Sequence, residues 1–474
     1  MKFAKTLLLY LSMLILFGGL IYYLLHSGKS LEYTGNLSPA ANISVHPNTP
    51  FFSNAFKAHL KDSLPQLLLQ IVVIISFTQL LGTLFKKIGQ PAVIGETVAG
   101  IILGPSLLGL LFPGAFHFLF PPESMETLKF LSQIGLILFM FIVGMELDAR
   151  LIRRQAMEAL IISHASILIP YTLGIGLSLF IYNQYAAAHA TFISFSLFMG
   201  IAMSITAFPV LARILRDRGL AGTKLGMLAI TCAASDDVTA WCLLALLIAF
   251  IKSGSGMAGL FTIGLVLLYA AIMLIPIRLL LNKVLDFYLK QKIAYNTLMA
   301  VMFTMLILSA WCTEVIGIHA LFGAFLAGVL MPKNDELRKR ITNRISDVAI
   351  VMLLPLFFVF TGLRTHAGLL NHSGLWVTFG LIMLVAVVGK FGGSTLAARL
   401  MGQTWKDSLS IGALMNTRGL MELIVLNIGY DMGVLSPEIF AMMVLMALLT
   451  TIMTSPALRW IERMKTKPIK PVPE

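Results

Sequence analysis

Two aspartates stand side by side in the apolar run ITCAASDDVTAWCLLALLIAF, residues 230 to 250. Such a run fits a bilayer core, which a helix crosses in about 20 residues. A carboxylate at that depth costs about 2.5–3.5 kcal/mol on insertion scales, so Asp236 and Asp237 need compensation from elsewhere in the chain. On a helix the two side chains point about 100° apart and can border one cavity without facing one point. Burial and mutual repulsion work against their ionisation, and a neighbouring cation works for it. Protons and a metal cation thus compete for the same oxygens, and the pair titrates as one coupled group. A purely structural acid pair is the alternative, although intramembrane carboxylates are functional by default.

Three further features are placed to serve that pair. In GIAMSITAFPVLARIL, Pro209 is expected to remove one helix hydrogen bond and to clash with the carbonyl of Ile205. Freed carbonyls and the hydroxyls of Ser204 and Thr206 would make a hard-oxygen lining suited to an alkali cation. A plain proline kink in a packed helix is the other reading. In SIGALMNTRGLMELIVLNIG, Asn416, Thr417, Arg418 and Gly419 interrupt a second apolar run near its centre. Arg418 and Glu422 are four apart and can pair on one helix face, either as part of a site or as a self-neutralised structural pair. Lys390, in VAVVGKFGGSTLAARL, is surrounded by Gly389, Gly392 and Gly393, which admit a neighbouring backbone. It is either a partner for an aspartate or a lysine snorkelling to the interface. Ala233, Ala234 and Ser235, just before the acids, are small enough for close helix contact, and Ser235 joins the candidate cation- and proton-binding residues.

The elements that must hold these groups are membrane helices. The 474 residues are 58% hydrophobic and 12% charged, against about 45–50% and about 25% in soluble domains. Apolar runs near 65–85, 91–111, 127–146, 156–182, 191–214, 224–250, 258–283, 295–313, 316–331, 345–363, 374–400, 407–430 and 437–459 predict about thirteen spans. Residues 1–26 are read as an additional uncleaved span rather than a signal peptide, because no small-x-small cleavage site follows. Residues 27–60 form a polar outer loop, 65–460 the transmembrane domain and 461–474 a short cytoplasmic tail, with no room expected for a soluble regulatory domain. Lys86, Lys87, Arg150, Arg153, Arg154, Arg213, Arg216, Arg218, Lys290, Lys292, the run KNDELRKR at 333–340 and the tail then fall on the inner side. Lys252 and Arg364 are the outer exceptions. The net charge of +13 thereby marks membrane orientation and excludes a nucleic-acid partner. Cys232, Cys242 and Cys312 lie in or beside apolar runs and make neither a disulfide framework nor a metal cluster. The interrupted spans are the fifth and twelfth, so they run in opposite directions, as inverted-repeat transporters require. Glu146 and Asp148 read as solvated, Glu96 as interfacial or cavity-lining, and Glu314 and His319 as part of an outer connection.

The strings TAFPVLARIL, AASDDVTAWCLLA, VVGKFGGS and MNTRGLMELIVLNIG resemble the monovalent cation:proton antiporter family, which includes Kef-type transporters, bacterial sodium/proton exchangers and plant CHX exchangers. QPAVIGETVAGIILGPSLLG and PLFFVFTGLR fit its pattern too. The resemblance covers residues 65–460 and implies an all-α inverted-repeat fold with two crossed discontinuous helices. It implies a homodimer whose subunits each pair a dimerisation scaffold with a mobile core. By the same resemblance Asp237 is the principal cation and proton carboxylate, with Asp236 beside it and Lys390 as the core lysine of electrogenic members. The nucleotide-binding domain and the glutamine typical of the Kef branch are not expected here. The implied function is exchange of Na+ or K+ for protons in the cell membrane, without a cofactor. A cation channel or sensor on the same scaffold is the alternative. An intramembrane aspartyl protease needs acids on different helices meeting across a cleft, which adjacent acids do not supply.

Overall fold

The computed structural model describes residues 62–146, 156–188, 190–220, 222–253, 256–291, 295–332, 334–365 and 373–464. The expected N-terminal span 1–26, the outer loop 27–60, Asp148 and the last ten residues of the tail lie outside the described residues. Helices α1 (Ser63–Lys87), α2 (Ala92–Leu103), the short α3 (Leu108–Leu111) and α4 (Pro113–Leu119), and α5 (Pro122–Glu146) come first. α6 (Ala156–Tyr185) leads into α7 (Phe192–Ser204) and α8 (Phe208–Asp217), the halves of one divided span. α9 (Lys224–Ser253) carries the aspartates; α10 (Gly256–Ile272) and α11 (Arg278–Gln291) are joined by a π-turn. Then follow α12 (Tyr295–Ile316), α13 (Ala320–Val329), and α14 (Asp335–Ser346), which a π-turn joins to α15 (Leu354–Leu363). α16 (Ser373–Val387) continues through a π-turn, Val388–Gly392, into α17 (Gly393–Leu400). α18 (Trp405–Met415) and α19 (Leu420–Asp431) form the second divided span, and α20 (Pro437–Glu462) ends the order.

Among the described residues eleven helices are long and apolar enough to cross a membrane, and twelve if α18 and α19, bent by 42°, count as one. The remaining expected span, 316–331, is the ten-residue α13, which at 1.5 Å per residue rises about 15 Å, half a bilayer core. Its start is set by chemistry the apolar pattern does not carry. His319 takes φ 90°, its ring accepts from the Leu321 amide, and the Glu314 carboxylate accepts from the Ala320 amide at 2.7 Å. Glu314 and His319 are therefore helix caps. A second difference concerns the basic run at 333–340. Rather than a loop, its residues from Asp335 on begin α14, with Asn334 as N-cap, and run on into the next span.

The helices pack in two groups. α1 lies on α2, α2 and α5 on α15, and α5 and α12 on α13. In the other group α7, α9 and α17 pack on α6, and α16, α18 and α19 pack on α20. The groups meet more sparsely, α15 against α19 and α2 against α20. Within the first group α5 and α13 cross at paired glycines. A Cβ on Gly144 would lie 2.2 Å from the Phe325 carbonyl oxygen, and one on Gly328 2.2 Å from that of Phe141. Arg338 locks the crossing by donating to the carbonyls of Met145 at 3.0 Å, Met331 at 2.7 Å and Pro332 at 3.2 Å.

Gly328→Val forces these backbones apart, and overpacking costs about 1–3 kcal/mol or more where backbone must move. Its melting temperature in detergent is expected to fall by several degrees. Gly380→Ala in α16, where an added Cβ meets nothing within 4 Å, is expected to leave it unchanged.

Candidate functional site

The acid pair lies against the break in the first divided span. Ile205 is extended (ψ 136°) and Ala207 nearly so (ψ 90°), so residues 205–207 leave the helix and α8 starts at Phe208. Pro209 acts differently from the sequence expectation. It stands in the first turn of α8, where a missing N–H is no loss and a fixed φ favours helix initiation. The proline begins the second half-helix instead of kinking a continuous one.

Ending α7 inside the protein orphans its last carbonyls, and two buried cations take them. Arg418 donates through Nη1 to Ala202 O and through Nη2 to Met203 O, both at 2.7 Å. Lys390 donates to Ser204 O, to Ser166 O at 3.1 Å and to Asp236 Oδ2 at 3.0 Å, which uses all three ammonium protons. Both side chains are fully buried. Their positive charge sits at the negative end of the α7 dipole, where cations are stabilised. The second break is pinned to the first by the Ala207 N–H, which donates to Thr417 O at 2.9 Å. Thr451 on α20 clamps Arg418, accepting from its amide at 3.1 Å and donating to its carbonyl at 2.7 Å, and the Thr454 hydroxyl accepts from the Thr417 hydroxyl at 3.3 Å.

Asp236 is saturated. Its Oδ1 accepts from Ser163 at 2.6 Å; its Oδ2 accepts from Lys390 and is approached by the hydroxyls of Thr206 at 2.8 Å and Ser166 at 3.1 Å. Asp237 differs. It is 2% exposed, and neither carboxylate oxygen has a hydrogen-bond partner. The Phe208 amide at the start of α8 faces it outside hydrogen-bonding geometry. A helix N-terminus is a favourable neighbour for negative charge. Lys390 therefore partners Asp236, and no ion pair joins it to Asp237. The lysine is on a π-turn, an insertion that often marks functional positions. Gly389 and Gly393 admit α6 beside it, their added Cβ atoms falling 2.9 Å from Pro170 Cα and 3.1 Å from Ile169 Cδ1, whereas Gly392 faces open space.

Of the other expected residues, Thr206 reaches Asp236, and also lies 3.1 Å from Met415 O at the opposite break. Ser204 contributes its carbonyl to Lys390, while its hydroxyl turns to Gly200 O and Ile167 O. The partly buried Ser235 hydroxyl makes no hydrogen bond to either aspartate among the described residues. Arg418 and Glu422 do pair, at 2.9 Å, but Arg418 is in the unwound segment and only Glu422 is in α19. Glu422 Oε1 and Asn416 Oδ1 remain buried without a partner. Ser163 and Ser166 were not foreseen, although their three-residue spacing on one helix face was a readable signal.

The chain belongs to the sodium/hydrogen exchanger, transmembrane family, whose model matches residues 72–461, and so to the monovalent cation:proton antiporters. Among its relatives, the Na(+)/H(+) antiporter NhaS4 of Synechocystis is 44% identical over 83% of this chain and 97% of its own. Cation/H(+) antiporter 17 of Arabidopsis thaliana is 41% identical over 84% of this chain and 48% of its own length. K(+)/H(+) antiporter 1 of Saccharomyces cerevisiae is 32% identical over 85% and 47%. The chain thus spans about half the length of the plant and yeast relatives. The fold matches that of the sodium proton antiporter MjNhaP1 from Methanocaldococcus jannaschii, with a TM-score of 0.61 at 17% identity over 84% of this chain and 99% of that one.

Arg418→Met strips Glu422 of its partner and leaves two bare carbonyls; breaking a buried pair this way costs about 3–5 kcal/mol. Its melting temperature is expected to drop steeply, and the double variant Arg418→Met, Glu422→Leu to recover part of the loss.

Proposed function

We propose that the chain exchanges a monovalent cation, Na+ or K+, for protons by alternating access, with Asp237 as the carboxylate that holds one or the other. The observation that carries this reading is the contrast within the pair: Asp236 has its donors, and Asp237, beside the helix break, has none. An unsatisfied buried carboxylate is costly, and either a proton or an alkali cation relieves it. Asp236, Lys390 and Thr206 position the site, and Asn416 and Glu422 supply further acceptors at the crossing. The names of the relatives, Na(+)/H(+), K(+)/H(+) and cation/H(+) antiporters, support the class of exchange.

The two sides of the molecule favour alternation as the mechanism. On the side with the expected outer loops, Asp431 on α19 accepts from Lys129 on α5 at 2.9 Å and from Arg364 at 2.8 Å. The cavity beside these bridges is about 30 Å³, room for a water or two. On the other side a cavity of about 550 Å³ reaches Arg213 and Ile214 on α8, five residues or about 7.5 Å of helix from the Phe208 amide. We read the arrangement as closed outward and partly open inward, with the acids occluded. A homodimer in the cell membrane, its tail cytoplasmic, completes the reading.

In vesicles with a preset pH gradient, added Na+ or K+ is expected to dissipate the gradient for the wild type and not for Asp237→Asn. No response from folded wild type to Na+, K+ or Li+ would sink the proposal. Because protons compete for the carboxylate, the apparent KM for the cation should rise as pH falls, by up to about tenfold per unit. A flat KM across the acid limb would speak against a shared site. Because a proton and a monovalent cation load Asp237 alike while Lys390 stays on Asp236, exchange by the wild type is expected to move no net charge; a potential across the vesicles would show that Lys390 gives up its proton during the cycle. Asp431→Asn should loosen the outer seal, read as faster modification of a cysteine placed at Ile428 by an impermeant reagent added outside.

A further inference from the structure

We infer that Pro170 is a positioning residue for Lys390: by withholding an amide from α6 it leaves the Ser166 carbonyl free to hold the ammonium on Asp236. α6 carries Pro170 in its interior, and the residue is buried. In a regular helix the amide of residue 170 would donate to the carbonyl four residues back, Ser166 O. Proline has no N–H to give, and its ring crowds that same carbonyl. A proline inside a membrane helix is tolerated where a neighbour satisfies the group it frees. Here the neighbour is the Lys390 ammonium, 3.1 Å from Ser166 O.

The surroundings fit that role. Pro170 lies directly against the π-turn that carries the lysine, since a Cβ on Gly389 would fall 2.9 Å from Pro170 Cα. Ser166 serves both members of the ion pair, its carbonyl accepting from Lys390 and its hydroxyl lying 3.1 Å from Asp236 Oδ2. Two of the three acceptors of the ammonium are therefore carbonyls released by a helix defect, Ser166 O by the proline and Ser204 O by the end of α7. The third is the carboxylate. The same pairing recurs in α20, where Pro456 is also interior. The carbonyl four residues before it, Ile452 O, accepts from Gln90 Nε2 at 3.3 Å. At both places an interior proline in one helix makes an acceptor for a side chain from elsewhere in the fold.

The test is a double-mutant cycle, read as melting of the purified full-length protein in detergent. In Lys390→Met the Ser166 carbonyl is bare. Adding Pro170→Ala supplies the missing amide and is expected to raise the melting temperature by several degrees. With Lys390 in place, the new amide and the ammonium compete for one oxygen, and that gain is expected to vanish or reverse. An equal shift in both backgrounds would overturn the inference, because a proline that only bends α6 acts alike with or without the lysine. Lactic acid at position 170, which puts an ester oxygen where the N–H would be, separates the donor from the ring. It is expected to behave as proline does; an ester that behaves as alanine also overturns the inference. The bearing on transport rests on the exchange proposed above. A Lys390 deprived of Ser166 O turns its third proton to the unpartnered carboxylate of Asp237 and competes there with the cation. Pro170→Ala is therefore expected to raise the apparent KM for the cation several-fold with kcat little changed, and the lactic acid variant to restore it. An unaltered KM in Pro170→Ala would remove the positioning role. Absence of exchange by the wild type would instead sink the functional reading and leave the melting cycle to decide. Should Lys390→Met not fold, the alanine and lactic acid proteins, compared with Lys390 present, decide by melting and KM.

Discussion

A helix that stops inside a bilayer leaves carbonyl groups that water cannot reach. The centre of this protein is organised around satisfying them. Ala202, Met203 and Ser204 end α7, and the guanidinium of Arg418 and the ammonium of Lys390 take their oxygens. Each cation then brings its own acid, Glu422 and Asp236. Isolated charges this deep would be strongly unfavourable; as dipole caps with carboxylate partners they become part of the frame. The unwound strands, the serines of α6 and the threonines of α20 complete the hydrogen bonding around them.

This frame also separates the two aspartates. Neighbours in sequence, they face different surroundings because a helix turns about 100° between them. Asp236 faces α6 and the π-turn of Lys390, and Asp237 faces the start of α8. The helix group holding them meets the other at α15–α19 and α2–α20, and through the Asp431 bridges to Lys129 and Arg364. The first group is braced internally by the Gly144–Gly328 crossing and Arg338.

Much of this was legible in the sequence, because polar residues in apolar runs are conspicuous. Asp236, Asp237, Lys390, and the interruptions at 205–209 and 416–419 were all visible as exceptions to a hydrophobic background. Which acid receives the lysine was not, since it depends on the register of α9 against the π-turn, and a π-turn leaves no apolar signature. Pro209 was legible as a breaker but not as the residue that begins the second half-helix, because that depends on where α8 starts, beside the bond from the Ala207 amide to Thr417 O. Ser163, Ser166, Thr451 and Thr454 were hidden for another reason. Hydroxyl residues are common in membrane helices and usually bond to their own backbone, as Thr78 and Thr172 do here. The short α13 looked like a full span because its cap residues sit beside an apolar run that continues on either side.

The unpartnered state of Asp237 bears on leakage. With Asp236 matched to Lys390 and Glu422 to Arg418, a proton or a monovalent cation on Asp237 leaves the centre neutral, and an empty Asp237 leaves it with a net negative charge. A low-dielectric interior penalises carrying that charge from one face to the other far more than carrying the loaded centre. In the proposed cycle the vacant form is thus the one least able to cross, and electrostatics alone would suppress slippage without cargo.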